Sequence, residues 1–441
     1  MSKKIKAILL CHFSNEEVRA QLPVSFSGFE AVVRRLLRRN SKATKYNDFA
    51  PWITNLICEF EKIEDLELHV VAPAPNLSGK TVEFDIKGVH YHFFKGNLSF
   101  PFEQLAAKIF GAKRRFNRNT RLVQELVKKI NPDIVNLVGS ENPYYSATVL
   151  GINHVPVYVS AQTVYTNPDR MRLSGHVSKL NWDIELKIHE KETYFGCSGR
   201  MHRDLILRNN PNAIIFKNFF PIQRPYAVKQ EKKIYDFVSF SVSISAKKGA
   251  DDAIEALYFV KKKYPEVMLN LIGHFNKISD YGKNLLKRID ELGLTKNIVF
   301  TPYFTRHEDM HQQTQKSRFA LLPVKLDVIS GSIIEAILLD LPVVCYKTTG
   351  TPYLNSENPS VLIAELNNVR ELANHMLTLM ESEILAQSLA KNAREFVLKT
   401  FDNTTSAKRL LADYYAVLAH YHHGTPIPKE LLFDTNEFPI Y

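Results

Sequence analysis

Short apolar runs alternate along the chain with longer stretches of mixed polarity, and this alternation predicts strands and helices in turn. In the first half the predicted strands are residues 5–11, 66–71, 89–94, 133–138, 155–160 and 213–216. The helices predicted between them are residues 28–39, 50–62, 102–111, 118–130, 144–151 and 182–192. Strands that alternate with helices are typical of a parallel sheet covered by helices.

The second half of the chain repeats this pattern. Its predicted strands are residues 237–240, 267–272, 298–301, 319–322, 343–346 and 361–363. Its predicted helices are residues 249–263, 281–292, 308–315, 331–340, 367–380 and 383–399. A further helix is predicted at about 405–420, and we interpret the aperiodic tail after it as a strap or a disordered end.

The length of 441 residues exceeds what one hydrophobic core supports, which favours at least two domains. A segment rich in proline and charge, residues 221–233, has the composition of a linker. We predict an N-terminal domain over 1–220 and a C-terminal domain over 234–400, with a helix and tail over 401–441 that pack back toward the first. Two doubly wound, Rossmann-like α/β domains of this kind are expected to face a cleft, where ligands bind beyond the carboxyl ends of the strands.

The composition fits an ordinary folded protein, with 45% hydrophobic and 23% charged residues. The cysteines lack the spacing of zinc ligands, so we expect all four to be reduced core residues: Cys11, Cys58, Cys197 and Cys345. The first apolar run is too short for a secretory signal, and no run of 18 apolar residues occurs. We expect a cytoplasmic protein that does not span a membrane.

The net charge of +11 falls almost entirely in residues 1–217, which hold 31 Lys and Arg and 21 Asp and Glu. Two clusters combine basic and apolar residues at near-helical spacing: Arg34, Arg35, Arg38, Arg39, Lys42 and Lys45, and Lys108, Lys113, Arg114, Arg115, Arg118 and Arg121. Such clusters can dock on an anionic membrane, peripherally at its inner face. A solvated helix face explains them equally well, and no nucleic-acid motif accompanies them.

The most informative segment is residues 321–346. A buried strand is followed by a loop with Asp327, and the turn Ser330-Gly331-Ser332 then opens a helix that contains Glu335. A helix N-terminus with a glycine that allows close approach binds phosphate through its free backbone N–H groups. Asp327 and Glu335 stand on either side of this anion site, where their carboxylates can accept hydrogen bonds from sugar and ribose hydroxyls.

This segment resembles the E-x7-E region of the retaining glycosyltransferase family 4, which has the two-domain GT-B fold. The resemblance implies that the N-terminal domain is the acceptor-binding domain and the C-terminal domain the nucleotide-sugar-binding domain. The resemblance implies that Glu335 binds the nucleotide ribose, that Asp327 contacts the transferred sugar, and that the diphosphate lies against Gly331 and Ser332. Asp327 departs from the family's glutamate and is one methylene shorter. An ordinary strand-loop-helix unit with incidental acids is the alternative.

A second segment, residues 235–256, is similar to the strand-loop-helix in which that family places G-R-x4-K-G. Lys248 before Gly249 matches the lysine, while Ser243 stands where the family has arginine. The resemblance implies that Lys248 neutralises the donor diphosphate, and Lys247 is a further cation that can compensate for the missing arginine. Replacement of the arginine removes one fixed cation. A solvated lysine pair is the alternative interpretation.

Candidate acceptor contacts lie in the first half. The sequence around Gly139 and Glu141, after a predicted strand, resembles a P-D…G-x-E segment of some family members. Glu141 and Asn142 are therefore candidates, although a helix-capping cluster explains them equally well. His12 ends the first strand and is a third candidate, although a single histidine is more often structural.

The combined signals predict a retaining glycosyltransferase that moves a sugar from a UDP- or GDP-linked donor to a saccharide or lipid-linked saccharide in cell-surface polysaccharide synthesis. Lys248, Asp327 and Glu335 are its expected catalytic residues. We expect no cofactor and no required metal ion, because no D-x-D motif occurs. His90 and His92 alternate in a strand and are expected on one face of a sheet edge.

Several other enzyme classes are excluded because their motifs are missing from the sequence. It contains no G-x-S-x-G, no Walker sequence and no G-x-G-x-x-G, which argues against a hydrolase, an NTPase and a dehydrogenase. Two alternatives stay open. One is a GT-B nucleotide-sugar epimerase or phosphorylase, and the other is a catalytically silent nucleotide-sugar-binding protein.

Overall fold

The structure is a computed structural model that describes residues 4–13, 15–23, 50–74, 77–96, 116–168, 170, 177–222, 231–304 and 306–434. These residues form two compact units. The first contains the described residues up to Pro221 together with Asn403–Asp434, and the second contains those of Ile222–Asp402. The predicted helices 28–39 and 102–111 lie outside the described residues, as do both basic clusters except Arg118 and Arg121.

The first unit is built on a sheet of eight described strands. They are β1 Ile5–Leu10, β2 Leu66–Pro73, β3 Thr81–Ile86, β4 Val89–Phe94, β5 Ile134–Val138, β6 Val157–Ser160, β7 Tyr194–Cys197 and β8 Ile214–Lys217. Their spatial order is β3-β4-β2-β1-β5-β6-β7-β8. Neighbours are parallel except for β3 and β4, which form a hairpin turned by Lys87 and Gly88, both with positive φ.

Helices cover this sheet. The described ones are α1 Glu16–Gln21, α2 Pro51–Phe60, α3 Asn117–Ile130, α4 Pro143–Ser146, α5 Lys179–Lys191 and α6 Arg200–Asn209. α4 continues as a 3₁₀ turn over Ala147–Gly151. α3 shows why these segments are helical: its apolar residues recur every three or four positions and are buried, while its polar face is exposed. It ends at Asn131, which adopts the left-handed conformation that closes many helices.

A last helix, Asn403–His423, belongs to the first unit although it follows the second in sequence. It packs on α2 and is fixed by buried hydrogen bonds. Tyr414 accepts from Nδ2 of Asn136 at 2.7 Å, and Tyr158 donates to Oδ2 of Asp413 at 2.8 Å. Loss of such a buried partner costs about 1 to 3 kcal/mol, so these bonds specify where the helix docks.

The second unit has a sheet of six described strands, all parallel. They are β9 Tyr235–Ser243, β10 Leu269–His274, β11 Ile298–Thr301, β12 Ser317–Leu322, β13 Val343–Tyr346 and β14 Leu362–Ala364. The spatial order is β11-β10-β9-β12-β13-β14. The helices between and after the strands are α7 Ala250–Lys261, α8 Asp280–Glu291, α9 His307–Thr314, α10 Gly331–Leu338, α11 Val369–Glu381 and α12 Glu383–Thr400. The helix Asn403–His423 is α13.

In both sheets the winding reverses at one point. The chain winds outward in opposite directions from β9 and β12 in the second sheet, and from β1 and β5 in the first. Ligands of doubly wound sheets bind beyond the carboxyl ends of the strands at such a point. The predicted α/β class with two Rossmann-like domains is confirmed.

Some details differ from the sequence-based expectations. β3 pairs with β4, so His90 and His92 on β4 do not lie at a sheet edge. Cys58 is exposed on α2, whereas the other three cysteines are buried as expected. β3, β7, α1 and α6 were not predicted: β3 is a half-exposed hairpin strand, β7 has only four residues, α1 has only six, and α6 is strongly charged. Among the described residues, no helix combines the length and apolarity that crossing a membrane requires.

Candidate functional site

The loops that follow β9 and β12 lie side by side at the switch point of the second sheet, which is the point where its winding reverses. The backbone N–H of Lys325, in the loop after β12, donates to the carbonyl oxygen of Lys247, in the loop after β9, at 3.1 Å. Gly249 makes the approach still closer. Its φ is +76°, and a Cβ atom there would overlap the carbonyl oxygen of Pro323. The glycine is therefore required both by its backbone conformation and by lack of space.

This packing brings Lys248 and Asp327 together. Nζ of Lys248 lies 3.5 Å from Oδ2 of Asp327, while Oδ1 of Asp327 accepts from its neighbouring backbone N–H at 3.2 Å. Asp327 is exposed and Lys248 is half-buried. Lys247 points to solvent. One cation and one carboxylate from different loops thus share the mouth of the site.

The N-terminus of α10 faces the same loops. Ser330 is its N-cap, but the side chain makes no capping hydrogen bond and instead lies 3.0 Å from the hydroxyl of Ser332. Gly331 is exposed. The first N–H groups of the helix are therefore not satisfied by a cap, and they carry the positive end of the helix dipole. This arrangement can bind an anion.

Glu335 is held one turn further along α10 by histidines of α9. Nε2 of His311 lies 3.1 Å from Oε2 of Glu335, and Nδ1 of His307 lies 3.9 Å from the same oxygen. Burial disfavours the carboxylate, but the interactions with His307 and His311 outweigh burial and lower the pKa of Glu335. Oε1 points toward Gly331, 4.0 Å from where a Cβ would stand. Glu335 is thus ionised, with one oxygen anchored.

The position of Ser243 lies at the end of β9. Ser243 is half-buried, and its carbonyl oxygen accepts from the hydroxyl of Ser241 at 2.8 Å. A cation that sequence reasoning missed, Lys325, lies in the opposite loop and pairs with Asp252 at 2.8 Å. Asp252 also accepts from the hydroxyl of Tyr346 at 2.7 Å. Lys325 is therefore a second fixed cation near Lys248.

The sequence also did not single out His307 and His311. They lie on α9, before β12, so their distance from Glu335 along the chain hid the contact. The signal that was available is their spacing of four residues, which puts both imidazoles on one face of a helix. These two histidines and Glu335 also have the geometry of a possible metal-binding group.

The candidate acceptor residues lie at the switch point of the first sheet. His12 follows β1 and is exposed, with its ring centroid 6.4 Å from that of Tyr145. Asn142 caps α4, because its side-chain oxygen accepts from the N–H of Tyr144 at 3.2 Å. In the structure Asn142 therefore acts as a helix cap, which is the alternative to a role in acceptor binding.

Glu141 has a different environment. Burial is the main cause that raises its pKa to about 8, and the charge of Glu185 adds to it. A hydrogen bond from its own backbone and, to a smaller extent, the charge of Arg170 oppose this rise. The side-chain amide of Gln162 is oriented so that its oxygen accepts from the indole N–H of Trp52 at 3.0 Å. In this orientation its nitrogen donates to Oε1 of Glu141 at 3.2 Å. Oε2 is buried and has no hydrogen-bond partner among the described residues. At neutral pH Glu141 is therefore a protonated carboxyl group rather than a carboxylate.

Comparison with known families gives one match in the second unit. Residues 223–396 match the family model described as "Glycosyl transferases group 1". A curated relative, poly(ribitol-phosphate) alpha-N-acetylglucosaminyltransferase from Staphylococcus aureus (strain COL), is 24% identical over 204 residues. The match covers 45% of this chain and 39% of that relative, so the chain matches about two fifths of the relative's length.

Solved structures show the same fold. A sucrose-phosphate synthase from Thermosynechococcus elongatus superposes with a TM-score of 0.66 at 13% identity, covering 95% of this chain and all (100%) of that one. HepE from Anabaena, solved with UDP-glucose, gives a TM-score of 0.62 at 14% identity, covering 93% and 99%. The predicted GT-B fold is confirmed. Membership in family 4 within this group stays a prediction.

We predict that Gly249→Ala destabilises the second unit more than Gly293→Ala does. Both glycines have positive φ, +76° and +66°, so both substitutions carry the backbone cost of about 1 to 2 kcal/mol. Only at Gly249 does the new Cβ meet backbone atoms, which adds about 1 to 3 kcal/mol of overpacking. Urea unfolding of both variants measures the difference. Equal losses would contradict the close approach of the two loops.

Proposed function

We propose that this chain, which carries a glycosyl transferases group 1 domain in its second unit, moves a sugar from a nucleotide-sugar donor to an acceptor with retention of the anomeric configuration. One observation carries the proposal. At the carboxyl ends of β9 and β12, a lysine, an uncapped helix N-terminus and an anchored carboxylate converge. The lysine and the helix N-terminus suit the diphosphate of a nucleoside diphosphate sugar, and the anchored carboxylate suits its ribose.

The donor diphosphate lies, in this proposal, against the N–H groups of Gly331 and Ser332. Its charge is balanced by the helix dipole and by Lys248, which would exchange its ion pair with Asp327 for the phosphate. Lys325 supplies a second cation, in place of the arginine that family 4 has at the position of Ser243. Lys247, being exposed, contributes long-range attraction only.

Glu335 receives the ribose in this proposal. His311 occupies Oε2, so Oε1 is left to accept hydrogen bonds from ribose hydroxyls. Asp327, once released by Lys248, accepts from hydroxyls of the transferred sugar. The anchoring by His311 means that Glu335 is oriented before the nucleotide arrives, which lowers the entropic cost of binding.

The chemical step follows from these positions. The bond between the anomeric carbon and the diphosphate oxygen breaks, and the electron pair leaves with the diphosphate, where Lys248 and the helix N-terminus stabilise the added charge. The acceptor hydroxyl attacks from the face that the leaving group vacates, and its proton passes to a diphosphate oxygen. No general base is needed on the opposite face, and the anomeric configuration is retained.

Donor and acceptor classes are inferred from the relatives. UDP-glucose in the HepE structure supports a UDP-linked donor. The name of the curated relative, poly(ribitol-phosphate) alpha-N-acetylglucosaminyltransferase, supports an acceptor that is part of a polymer. We propose that this acceptor belongs to cell-surface polysaccharide synthesis. We infer a saccharide or lipid-linked saccharide acceptor, held by the first unit near His12, Glu141 and Asn142.

A second candidate function is a catalytically silent nucleotide-sugar-binding protein. Ser243, in the position where family 4 has arginine, favours it, because a missing cation weakens the stabilisation of the leaving group. The two functions differ in one observable. Release of UDP from a UDP-sugar above the uncatalysed rate would reject the silent protein.

We predict peripheral attachment to anionic membranes, because residues 1–217 carry nearly all of the net positive charge. Each basic residue near the surface contributes about 1 kcal/mol, and salt screens it. The protein should sediment with anionic vesicles but not with neutral ones at low salt. Charge reversal at Arg34, Arg35, Arg38 and Arg39 should weaken this sedimentation. Protein that stays in the supernatant with anionic vesicles would indicate that the basic residues are merely solvated.

We predict that Glu335→Gln weakens UDP binding by about ten- to a hundredfold, which corresponds to the 1.5 to 3 kcal/mol of a charge-assisted hydrogen bond. Calorimetric titration with UDP measures the affinity. Glu357→Gln, an exposed glutamate paired with Lys399, is the matched control and should bind UDP like the parent. If Glu335→Gln keeps the parent's melting temperature and also its UDP affinity, the ribose assignment is wrong.

A further inference from the structure

Three neighbouring strands of the first sheet place histidines and carboxylates on one face. β2 contributes Glu67 and His69, and β4 contributes His90 and His92, each pair at alternate positions that share a side of the strand. The register places His69 beside His90. Antiparallel β3 places Asp85 opposite His90. The face therefore carries a patch of imidazoles bordered by acids.

Three of these side chains converge closely. Glu67, His69 and His90 each offer one ligand atom, and the three atoms lie within 4.8 Å of one another. Oε1 of Glu67 is 3.0 Å from Nε2 of His69, and the rings of His69 and His90 stack with centroids 4.6 Å apart. Two imidazoles and a carboxylate form one of the three-ligand sets that zinc uses, with a position left for water.

The surroundings fix the proton on His90. Its Nδ1 lies 2.7 Å from Oδ1 of Asp85. A carboxylate only accepts, so Nδ1 carries the proton and Nε2 keeps its lone pair. An imidazole whose outer nitrogen is held by a carboxylate in this way has the usual second partner of a metal-binding histidine.

A buried chain of hydrogen bonds leads from His69 to His92. Nε2 of His69 donates to Glu67, so Nδ1 of His69 accepts from Nε2 of His92 at 3.0 Å. Nδ1 of His92 is then unprotonated and has no hydrogen-bond partner among the described residues. It lies 3.6 Å from Oε2 of Glu83. A lone pair that faces a carboxylate at this distance is unfavourable.

A cation on Nε2 of His69 reverses the chain. The proton of His69 then lies on Nδ1 and is donated to Nε2 of His92. The proton of His92 correspondingly lies on Nδ1, where it faces Glu83 instead of a lone pair. Each histidine keeps one proton, so the rearrangement needs no proton source. Every nitrogen of the chain then faces a suitable partner.

We propose that Glu67, His69 and His90 bind a divalent transition-metal ion of the zinc type, which ties β2 to β4. Imidazole ligands favour zinc, cobalt and nickel over magnesium and calcium. Solvent reaches the site, because the side chains of Glu67 and His90 are 36% and 37% exposed. Lys6, 3.0 Å from Oε1 of Glu67, gives up that ion pair when the metal binds. The site takes no part in the proposed transfer of sugar and does not depend on it.

Titration of the full chain with Co²⁺, after removal of metal by a chelator and dialysis, tests this site. We expect one equivalent of Co²⁺ to bind and to show the visible absorption of four-coordinate cobalt. Zn²⁺ should displace the bound Co²⁺. Zn²⁺ should also raise the melting temperature of the parent. His90→Gln should abolish both effects. Asp85→Asn, which leaves the three ligands intact, should weaken binding by about 10- to 100-fold.

His154→Gln, an exposed histidine outside the group, is the matched control and should bind Co²⁺ like the parent. His307→Gln separates this site from the histidine pair beside Glu335 and should also leave binding unchanged. The proposal is overturned if the parent binds no stoichiometric Co²⁺, if His90→Gln binds it as the parent does, or if binding is lost in His307→Gln instead.

Discussion

The contact between the loops after β9 and β12 is the constraint on which the proposed donor site depends. Gly249 lies against the carbonyl oxygen of Pro323, and Lys325 donates to the backbone of Lys247. Any side chain at residue 249 would separate the loops. Because the loops touch, a lysine from one and a carboxylate from the other reach the same point, beside the N-terminus of α10. Parallel sheets offer this opportunity only where their winding reverses.

Charge in this site is arranged in advance. A buried carboxylate is costly unless it is paired, and His311 pairs Glu335 from a neighbouring helix. Asp327 and Lys248 lie at the more open mouth, where an ion pair contributes little and can be exchanged for a ligand at low cost. The inner carboxylate is thus fixed, whereas the outer pair can change partners. That division suits recognition of a nucleotide by the first and of a diphosphate and sugar by the second.

The sequence predicted the elements that are buried and periodic, and missed those defined by tertiary contacts. Each of the six strands of the second sheet contains a short apolar run, which pattern alone identifies. β3 was not predicted, because its polar residues alternate with apolar ones on a half-exposed hairpin and form no apolar run. The segments around Lys248 and Glu335 were identified by resemblance to a known family. The partners of those residues, His311 and Lys325, were not, because no local pattern indicates which distant side chain will pack against a given carboxylate or phosphate.

The central claim is that a nucleotide binds at the loops after β9 and β12 and at α10. A crystal structure of the chain with UDP would test this claim most directly, because it would locate each part of the nucleotide. We expect phosphate oxygens within hydrogen-bond distance of the N–H groups of Gly331 and Ser332. A ribose hydroxyl should bond to Oε1 of Glu335, with His311 still bonded to Oε2. Lys248 should turn from Asp327 to the diphosphate. A nucleotide bound elsewhere, or with its ribose away from Glu335 and its phosphates away from α10, would contradict the account.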